Sequence, residues 1–238
     1  RSDIEGAPSV KAHIDNVTNT MRATTLEHGE AKVFTVEHVM AAFSAMAIDN
    51  CFIELDSPEP PVADGSSAVF VDLILQAGIK IQAAERQIYS VQKSHAIYDG
   101  DRFIAILPYD GYRMTFTSIN NHPLLGTQQC DCEITPENFQ KEIAAARTIG
   151  FMKELEQLQA VGLAKGGTLE NALVYDDKKC LSVPRFDDEL VRHKVLDVIG
   201  DLFLLGPIKG HVIALKSSHE LNSRLSRSIM EEIRETQQ

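Results

Sequence analysis

The chain has 238 residues, of which 44% are hydrophobic, and its formal net charge is −11. This hydrophobic content is sufficient for the packed core of one large domain or of two small ones. The negative charge argues against nucleic-acid binding, because that binding depends on cationic side chains that neutralise phosphates. No stretch of the sequence approaches the roughly 18 consecutive apolar residues of a membrane-spanning helix, so no transmembrane segment is predicted.

The first third of the sequence predicts short strands followed by two helices. Residues 8–27 alternate loosely and carry Thr and Val, which is typical of strands. Residues 35–47 are apolar and rich in alanine, and we expect a helix there that is capped by Thr35. Alternation over residues 50–56 predicts another strand, which the following prolines end. A second helix is predicted over residues 66–78, closed by a glycine.

The same order of elements is predicted again in the rest of the chain. The predicted strands are residues 87–96, 103–108, 113–119, 170–175 and 208–215. The predicted helices lie within residues 133–145, at 187–205 and at 219–235. Strands followed by two helices, occurring twice, predict an α+β fold with two similar domains, residues 1–82 and 83–238.

The helix predicted at 187–205 carries three ionisable side chains on one face, because His193, Asp197 and Asp201 follow one another at intervals of four residues. The opposite face is apolar. Burial of unpaired charges costs several kcal/mol, and a divalent metal would supply the missing partner. A histidine and an aspartate form a suitable half-site for zinc. The pair His193 and Asp197 fits an ion pair on a helix surface equally well.

A third metal ligand is available at the start of the helix predicted at 35–47. Adjacent side chains on a helix point about 100° apart. His38 can therefore hold an ion while Glu37 reaches water beside it. A histidine with an ordinary structural role is the commoner explanation for His38 when it is considered alone.

Several segments spread over nearly the whole chain together carry a resemblance. The segments are T-V-E-H-V-M-A-A (35–42), I-D-N-C-F-I-E-L-D-S-P-E-P-P-V-A-D-G-S-S-A-V-F (48–70), N-H-P (121–123), A-R-T-I-G-F (146–151), K-G-G-T-L-E-N-A (165–172), R-F-D-D-E-L-V-R-H-K-V-L-D-V-I-G-D-L (185–202) and S-S-H-E-L-N (217–222). In sequence and in order they resemble the UDP-3-O-acyl-N-acetylglucosamine deacetylases, the zinc amidases of lipid A biosynthesis.

This resemblance implies a catalytic zinc ion held by His38, His193 and Asp197. Two neutral imidazoles and one carboxylate leave the ion net positive, so that water bound to it ionises near neutral pH. Glu37 matches the general base, which takes a proton from water during attack on the acetamide carbonyl. Thr148 matches the hydroxyl that stabilises the tetrahedral oxyanion, although without the resemblance it would be an ordinary loop or cap threonine.

The remaining roles implied by the resemblance concern proton donation and substrate binding. His219 matches the general acid that protonates the departing amine, and Asp201 would hold it as an imidazolium. Lys194 suits an anionic substrate group or the oxyanion. Phe151 matches an aromatic side chain of the nucleotide and sugar pocket, and Arg102 stands where the family has a basic residue that faces phosphate.

The resemblance also implies an architecture, in which each domain has a sheet and two helices and the domains pack helices against helices. The zinc ion would lie at their junction. An inserted β-α-β unit, roughly residues 168–186, would build a passage for the acyl chain. Members of the family begin earlier, so we expect the first sheet to lack its opening strands. Some members are fused to an acyl-carrier-protein dehydratase domain, and we expect a cytoplasmic location.

Two substitutions depart from the family pattern and keep alternatives open. Asn120 replaces an aromatic residue before N-H-P, and Ser218 replaces a glycine whose backbone freedom serine lacks. The leading hypothesis is a zinc-dependent deacetylase acting on UDP-3-O-acyl-N-acetylglucosamine. One alternative is a non-catalytic relative that binds a UDP-sugar or an acyl chain. Another is a zinc amidase with a different acyl specificity.

Overall fold

The protein has an α+β fold, as predicted, and the computed structural model describes residues 1–153 and 167–236. The first two residues of the segment predicted to match at 165–172 lie outside the described residues. The helices of the described part include α1 Glu37–Ala45, α2 Ala68–Ala77, α3 Pro136–Asn138, α4 Glu189–Phe203 and α5 His219–Thr236. Its strands include β1 Val17–Asn19, β2 Thr25–His28, β3 Ala31–Val33, β4 Tyr89–Ser90, β5 His95–Asp99, β6 Arg102–Leu107, β7 Tyr112–Ile119, β8 Thr127–Glu133, β9 Ile149–Phe151, β10 Leu173–Tyr175 and β11 Ile208–Leu215.

The strands of residues 1–153 and 167–236 form three separate sheets. Strands β1, β2 and β3 form a small antiparallel sheet near the start of the chain. The large sheet has the order β5-β6-β11-β7-β8, and β4 pairs with the beginning of β11. Strand β11 lies parallel to β7 and antiparallel to β6, and its residues alternate between buried and half-buried because one face of the sheet covers the core. Strands β9 and β10 form a parallel pair.

Helix α4 lies at the centre of the molecule, in contact with α1, α5 and strands of the large sheet. The apolar face predicted for this helix is almost completely buried. It consists of Val191, Val195, Val198, Ile199 and Leu202. The ionisable face is buried as well, because α1 and α5 cover it. Burial on both faces is what gives the ionisable side chains of α4 their unusual environment.

Two local predictions for the first third of the chain are wrong. Residues 50–56 are not a strand. The backbone hydrogen bond that the structure gives this stretch is from Ser2 to the carbonyl of Leu55, and a strand requires a continuous row of partners. Thr35 does not cap α1, because it adopts a positive φ of 53° and its hydroxyl donates to Glu59 instead. Helix α2, by contrast, ends at Gly78 as predicted, with φ 77°.

The second part of the chain holds two further differences from prediction. Strand β8 was not predicted, because its sequence T-Q-Q-C-D-C-E is polar and buries only Cys130. It forms one edge of the large sheet, where a polar strand is expected. Residues 168–186 contain the strand β10 but no helix, so they do not form a β-α-β unit by themselves. The parallel partner of β10 is β9, which precedes that range.

Two large apolar side chains in the first part of the chain are exposed, and the expectation that the first sheet lacks its opening strands stays a prediction. Phe52 is fully exposed and Ile81 is 92% exposed. The proposed division between residues 82 and 83 stays a prediction, since one core cluster joins α1 and α2 to α4 and the large sheet. Among the helices of residues 1–153 and 167–236, none is long and apolar enough to cross a membrane.

Candidate metal centre and acid–base site

Three side chains that are distant in the sequence converge where α1 crosses α4. The Nε2 atom of His38 lies 3.8 Å from Oδ1 of Asp197, and Nε2 of His193 lies 3.4 Å from the same oxygen. All three residues are buried. We call them the His–His–Asp cluster. A tetrahedral zinc ion, with bonds of about 2.0–2.2 Å, separates its ligand atoms by about 3.3–3.5 Å. The spacing of these atoms therefore fits a metal ion with small side-chain adjustments.

The strongest sign that this cluster suits a cation is an unpartnered oxygen. Oδ1 of Asp197 is buried and accepts no hydrogen bond from residues 1–153 or 167–236, while Oδ2 accepts one from the ammonium of Lys194 at 2.8 Å. Leaving a buried carboxylate oxygen unpaired is costly. Because this oxygen points between two imidazole nitrogens, a bound cation would satisfy all three atoms.

The imidazoles of the cluster are held in the state that metal binding requires. Nδ1 of His193 lies 3.0 Å from the carbonyl oxygen of Ala146 and can donate a proton to it. In that tautomer Nε2 is unprotonated, and its lone pair is free to bind a metal ion next to Asp197. Burial, reinforced by the neighbouring His193, lowers the pKa of His38 to about 3. Burial also lowers the pKa of His193, although Asp197 opposes that effect. Both rings are therefore neutral, as ligands must be.

The aspartate of this cluster is ionised. Burial raises the pKa of the Asp197 carboxyl, but nearby groups, among them the charged ammonium of Lys194, outweigh burial and hold that pKa well below its usual range. Lys194 also stays charged, since the carboxylate raises its pKa against the opposing effect of burial. Lys194 thus orients Asp197 and is not a free cation in the described structure.

A second buried group lies beside the first and consists of Glu37, Asp201 and His219, which we call the Glu–Asp–His cluster. Nδ1 of His219 lies 2.8 Å from Oδ2 of Asp201, and Nε2 of the same ring lies 4.0 Å from Oε1 of Glu37. Asp201 is one helical turn beyond Asp197, and Glu37 is next to His38. The adjacency of the two clusters therefore follows from the packing of α1 on α4.

Proton affinities differ sharply within the Glu–Asp–His cluster. Burial opposes protonation of His219, yet Asp201 raises the pKa of that imidazole to about 10. Burial raises the pKa of Glu37 to about 7, although His219 lowers it in part. One group therefore holds a proton near neutral pH while the other can accept one, which is the arrangement expected of an acid and a base.

Helix α5 places His219 at its first turn. Asn222 donates from Nδ2 to Oδ2 of Asp201 at 2.8 Å, and the hydroxyl of Ser217 donates to Asn222. The backbone strain expected at Ser218 is absent, because the positive φ of this loop falls on Lys216. The carbonyl oxygen of Ser218 instead accepts the first helical hydrogen bond, from the backbone of Asn222. Serine at this position is thus compatible with the observed place of His219.

Three further predicted site residues, Thr148, Phe151 and Arg102, belong to neither cluster. The backbone N–H of Thr148 donates to the carbonyl of Gly65. Thr148 lies two residues after Ala146, whose carbonyl oxygen orients the ring of His193. The ring of Phe151 lies 5.7 Å from that of His122, and a cavity of about 410 Å³ opens beside them. Arg102 pairs with Asp99. Among the contacts of the described residues, none joins Arg102 to either cluster.

The D-G-S-S turn, residues 64–67, has a structural role. Gly65 has φ 81°, and a Cβ there would lie 1.8 Å from the carbonyl oxygen of Asn171. The carbonyl of Gly65 anchors Thr148, and the hydroxyl of Ser67 donates to the carbonyl of His38 at 2.7 Å. The turn therefore joins the segment of Thr148 to the helix that carries a candidate ligand.

A buried ion pair that was not predicted supports the same segment. The guanidinium of Arg147 donates to Glu189 at the start of α4 and to the carbonyls of Glu170 and Val183. Glu189 in turn accepts from the backbone of Arg147. The sequence signal was an arginine next to Thr148 within a matched segment, but nothing local identified its partner.

Gly200 was also missed, although it sets the distance between α1 and α4. A Cβ added at Gly200 would lie 2.0 Å from the carbonyl oxygen of Glu37. Any side chain at this position would therefore push α1 away from α4. The close approach is what allows His38 to meet Asp197.

Gly200→Ala is expected to lower the free energy of unfolding by about 1–3 kcal/mol, the usual cost of overpacking a core. Helix propensity alone predicts the opposite sign, because alanine is favoured over glycine by about 1 kcal/mol within a helix. Denaturant unfolding of both proteins measures the difference. Equal or greater stability of the variant would show that the helices do not need this close contact.

The residues gathered here define a class of protein. Two buried histidines and an aspartate, next to two further titratable side chains of separated pKa, are a set that suits a metal-dependent hydrolase. The sequence matches the family of UDP-3-O-acyl N-acetylglycosamine deacetylases over residues 1–231, and the chain belongs to this family.

Individual relatives match over most of their length. The UDP-3-O-acyl-N-acetylglucosamine deacetylase of Acidithiobacillus ferrooxidans is 43% identical over 235 residues, which are 97% of this chain and 77% of that protein. The protein of the same name from Anaeromyxobacter sp. strain Fw109-5 is 46% identical over 93% of this chain and 74% of its own. The protein of the same name from Myxococcus xanthus is 42% identical over 97% of this chain and 74% of its own length. These names give no support to a fused dehydratase domain.

Proposed function

We propose that this chain hydrolyses the N-acetyl amide of UDP-3-O-acyl-N-acetylglucosamine in lipid A biosynthesis, releasing acetate and a free amine. The observation that carries the proposal is the burial of the His–His–Asp cluster directly beside the Glu–Asp–His cluster. The names of relatives at 42–46% identity supply the substrate. The cytoplasmic location stays a prediction.

Zinc is the metal we propose for the His–His–Asp cluster. Two imidazoles and one carboxylate are a donor set of catalytic zinc sites, which keep one position open. The neutral rings of His38 and His193 and the unpartnered oxygen of Asp197 fit that ion. When bound, zinc would act as a Lewis acid on the amide carbonyl and would lower the pKa of water at the site.

Proton transfer is proposed for the Glu–Asp–His cluster. Glu37 accepts a proton from the attacking water, for which a pKa of about 7 is suitable near neutral pH. His219 holds a proton on Nε2 and donates it to the departing amine nitrogen, while Asp201 binds Nδ1 and keeps the ring charged. Expulsion of an amine requires such a donor, because an unprotonated amide nitrogen is a poor leaving group.

Stabilisation of the oxyanion and substrate binding are proposed for residues around the clusters. The hydroxyl of Thr148 and the ammonium of Lys194 would face the negative charge that develops on the carbonyl oxygen. Phe151 would contact the sugar and nucleotide from the wall of its cavity. Phosphate binding by Arg102 requires its guanidinium to share or leave its partner Asp99.

The proposal is tested by incubating the purified protein with UDP-3-O-acyl-N-acetylglucosamine and measuring acetate. We expect acetate release with zinc supplied and its loss after chelation, followed by recovery when zinc is returned. Substrate binding without release under all three conditions would identify a non-catalytic relative. Hydrolysis of a different amide, but not this one, would identify an amidase of another specificity.

A further inference from the structure

Thr24, the residue that precedes β2, touches both ends of the Glu–Asp–His cluster. Its backbone N–H donates to Oε2 of Glu37 at 3.0 Å. Its hydroxyl donates to Oδ1 of Asp201 at 2.5 Å, across 177 positions of sequence. Thr24 is itself buried. One residue therefore binds the carboxylate of the proposed base and the carboxylate that orients the proposed acid.

The place of Thr24 is fixed by its own backbone. Its carbonyl oxygen accepts from the N–H of Val36, the residue before α1. Thr24 thus lies against the start of the helix that carries Glu37, and only its hydroxyl extends to α4. Hydrogen bonds to charged groups are the stronger ones in proteins, and they are stronger still where water is excluded.

The hydroxyl of Thr24 completes the set of donors around Asp201. Oδ2 of this carboxylate accepts from His219 and from Asn222. Oδ1 accepts from Thr24. With both oxygens bound, the carboxylate plane is held and the ring of His219 is held with it. Loss of the Thr24 donor would let the carboxylate rotate, and the imidazole would move relative to Glu37.

We propose that Thr24 is a positioning residue, which sets the proposed acid His219 opposite the proposed base Glu37 by binding Asp201 and Glu37 at once. The inference rests on the proposed function. The hydrogen bonds that the described structure gives Thr24 do not reach the His–His–Asp cluster, and on this proposal Thr24 does not bind the substrate. It acts on the geometry of proton transfer and leaves metal and substrate binding unchanged.

The first test is Thr24→Val, which keeps the backbone donor and the side-chain volume but removes the hydroxyl. We expect kcat to fall by about 10–100-fold, the value of a hydrogen bond to a charged group, with KM and zinc content unchanged. Thr24→Ser restores the hydroxyl and is expected to restore most of kcat. A kcat of Thr24→Val equal to that of the wild type, or an equal loss in both variants, would overturn the proposal.

Thr25→Val is the matched control, because Thr25 is also buried but its side chain leaves the opposite side of an extended chain. Thr25→Val should retain the kcat of the wild type. That result would show that the fall in kcat of Thr24→Val is not a general effect of removing a buried hydroxyl from this region. A double-mutant cycle adds Asp201→Asn. If Thr24 acts through Asp201, Thr24→Val should lower kcat much less in that background. Independent, multiplicative losses would contradict a role through Asp201.

A spectroscopic readout separates failure of this inference from failure of the proposed function. The proton between Nδ1 of His219 and Asp201 should give a downfield NMR resonance, identified by its absence in His219→Gln. We expect Thr24→Val to shift or broaden that resonance and Thr24→Ser to preserve it, whether or not the substrate is hydrolysed. An unshifted resonance in Thr24→Val would show that its hydroxyl does not position the pair.

Discussion

Glu37→Gln is expected to lower kcat by about 10²–10⁴-fold, the usual contribution of a general base. The amide has the size of the carboxylate and can still accept from the backbone of Thr24 through its oxygen. It cannot accept a proton from water. Because Glu37 is not a member of the His–His–Asp cluster, zinc content and the free energy of unfolding should stay close to those of the wild type. Steady-state acetate release, with metal analysis of the same samples, measures both quantities.

Glu220→Gln is the matched control for that variant. Glu220 is exposed and lies next to His219 in the sequence. Its change to glutamine removes the same single negative charge as Glu37→Gln. Glu220→Gln should retain nearly full activity. If Glu37→Gln were also nearly fully active, the assignment of the base would be wrong. A loss of zinc from Glu37→Gln would show instead that the carboxylate helps to hold the metal.

His193→Ala is expected to abolish both metal binding and turnover. The variant removes one of three ligands and leaves Asp197 with its buried oxygen facing a cavity. In the wild type, zinc at 100 times its dissociation constant should stabilise the fold by about 2.7 kcal/mol. That stabilisation should be absent from the variant. Thermal unfolding with and without zinc, together with metal stoichiometry, makes the measurement independent of any substrate.

His211→Ala serves as the control for general effects of losing a histidine. His211 is half-buried in β11 and bonds the hydroxyl of Thr115, away from both clusters. It should bind zinc and respond to it as the wild type does. Full zinc stabilisation of His193→Ala would contradict the proposed ligand set. If turnover were lost as well, His193 would then act in the reaction and not as a ligand.

Features that depend on local spacing were accessible from the sequence. The spacing of four residues predicted that His193, Asp197 and Asp201 share one face of a helix, and α4 has that face. The predicted bounds of helices α1, α2 and α5 agree with the structure to within two residues. Apolar periodicity, and for α2 a terminal glycine, are local signals that span only a few helical turns. The roles of these residues came from resemblance to a family and remain proposals.

Features that depend on a distant partner were not accessible. Strand β8 is too polar to be recognised alone and exists because β7 offers it hydrogen-bond partners. Residues 50–56 alternate like a strand but have no such row of partners within the described part of the chain. Thr24 and Gly200 carry no local signal, because their importance lies in an atom of another element that packs against them.

The α+β class and the ionisable face of α4 could be predicted from the sequence, because strands and helices impose repeats of two and of about four residues. The pair Glu37 and His38 could be predicted because the two residues are adjacent in the chain. That these side chains meet, that Oδ1 of Asp197 has no hydrogen-bond partner among the described residues, and that Thr24 and Asn222 bind Asp201 required knowledge of the packed fold. Burial and hydrogen-bond partners arise from packing between elements, and pKa values depend on both.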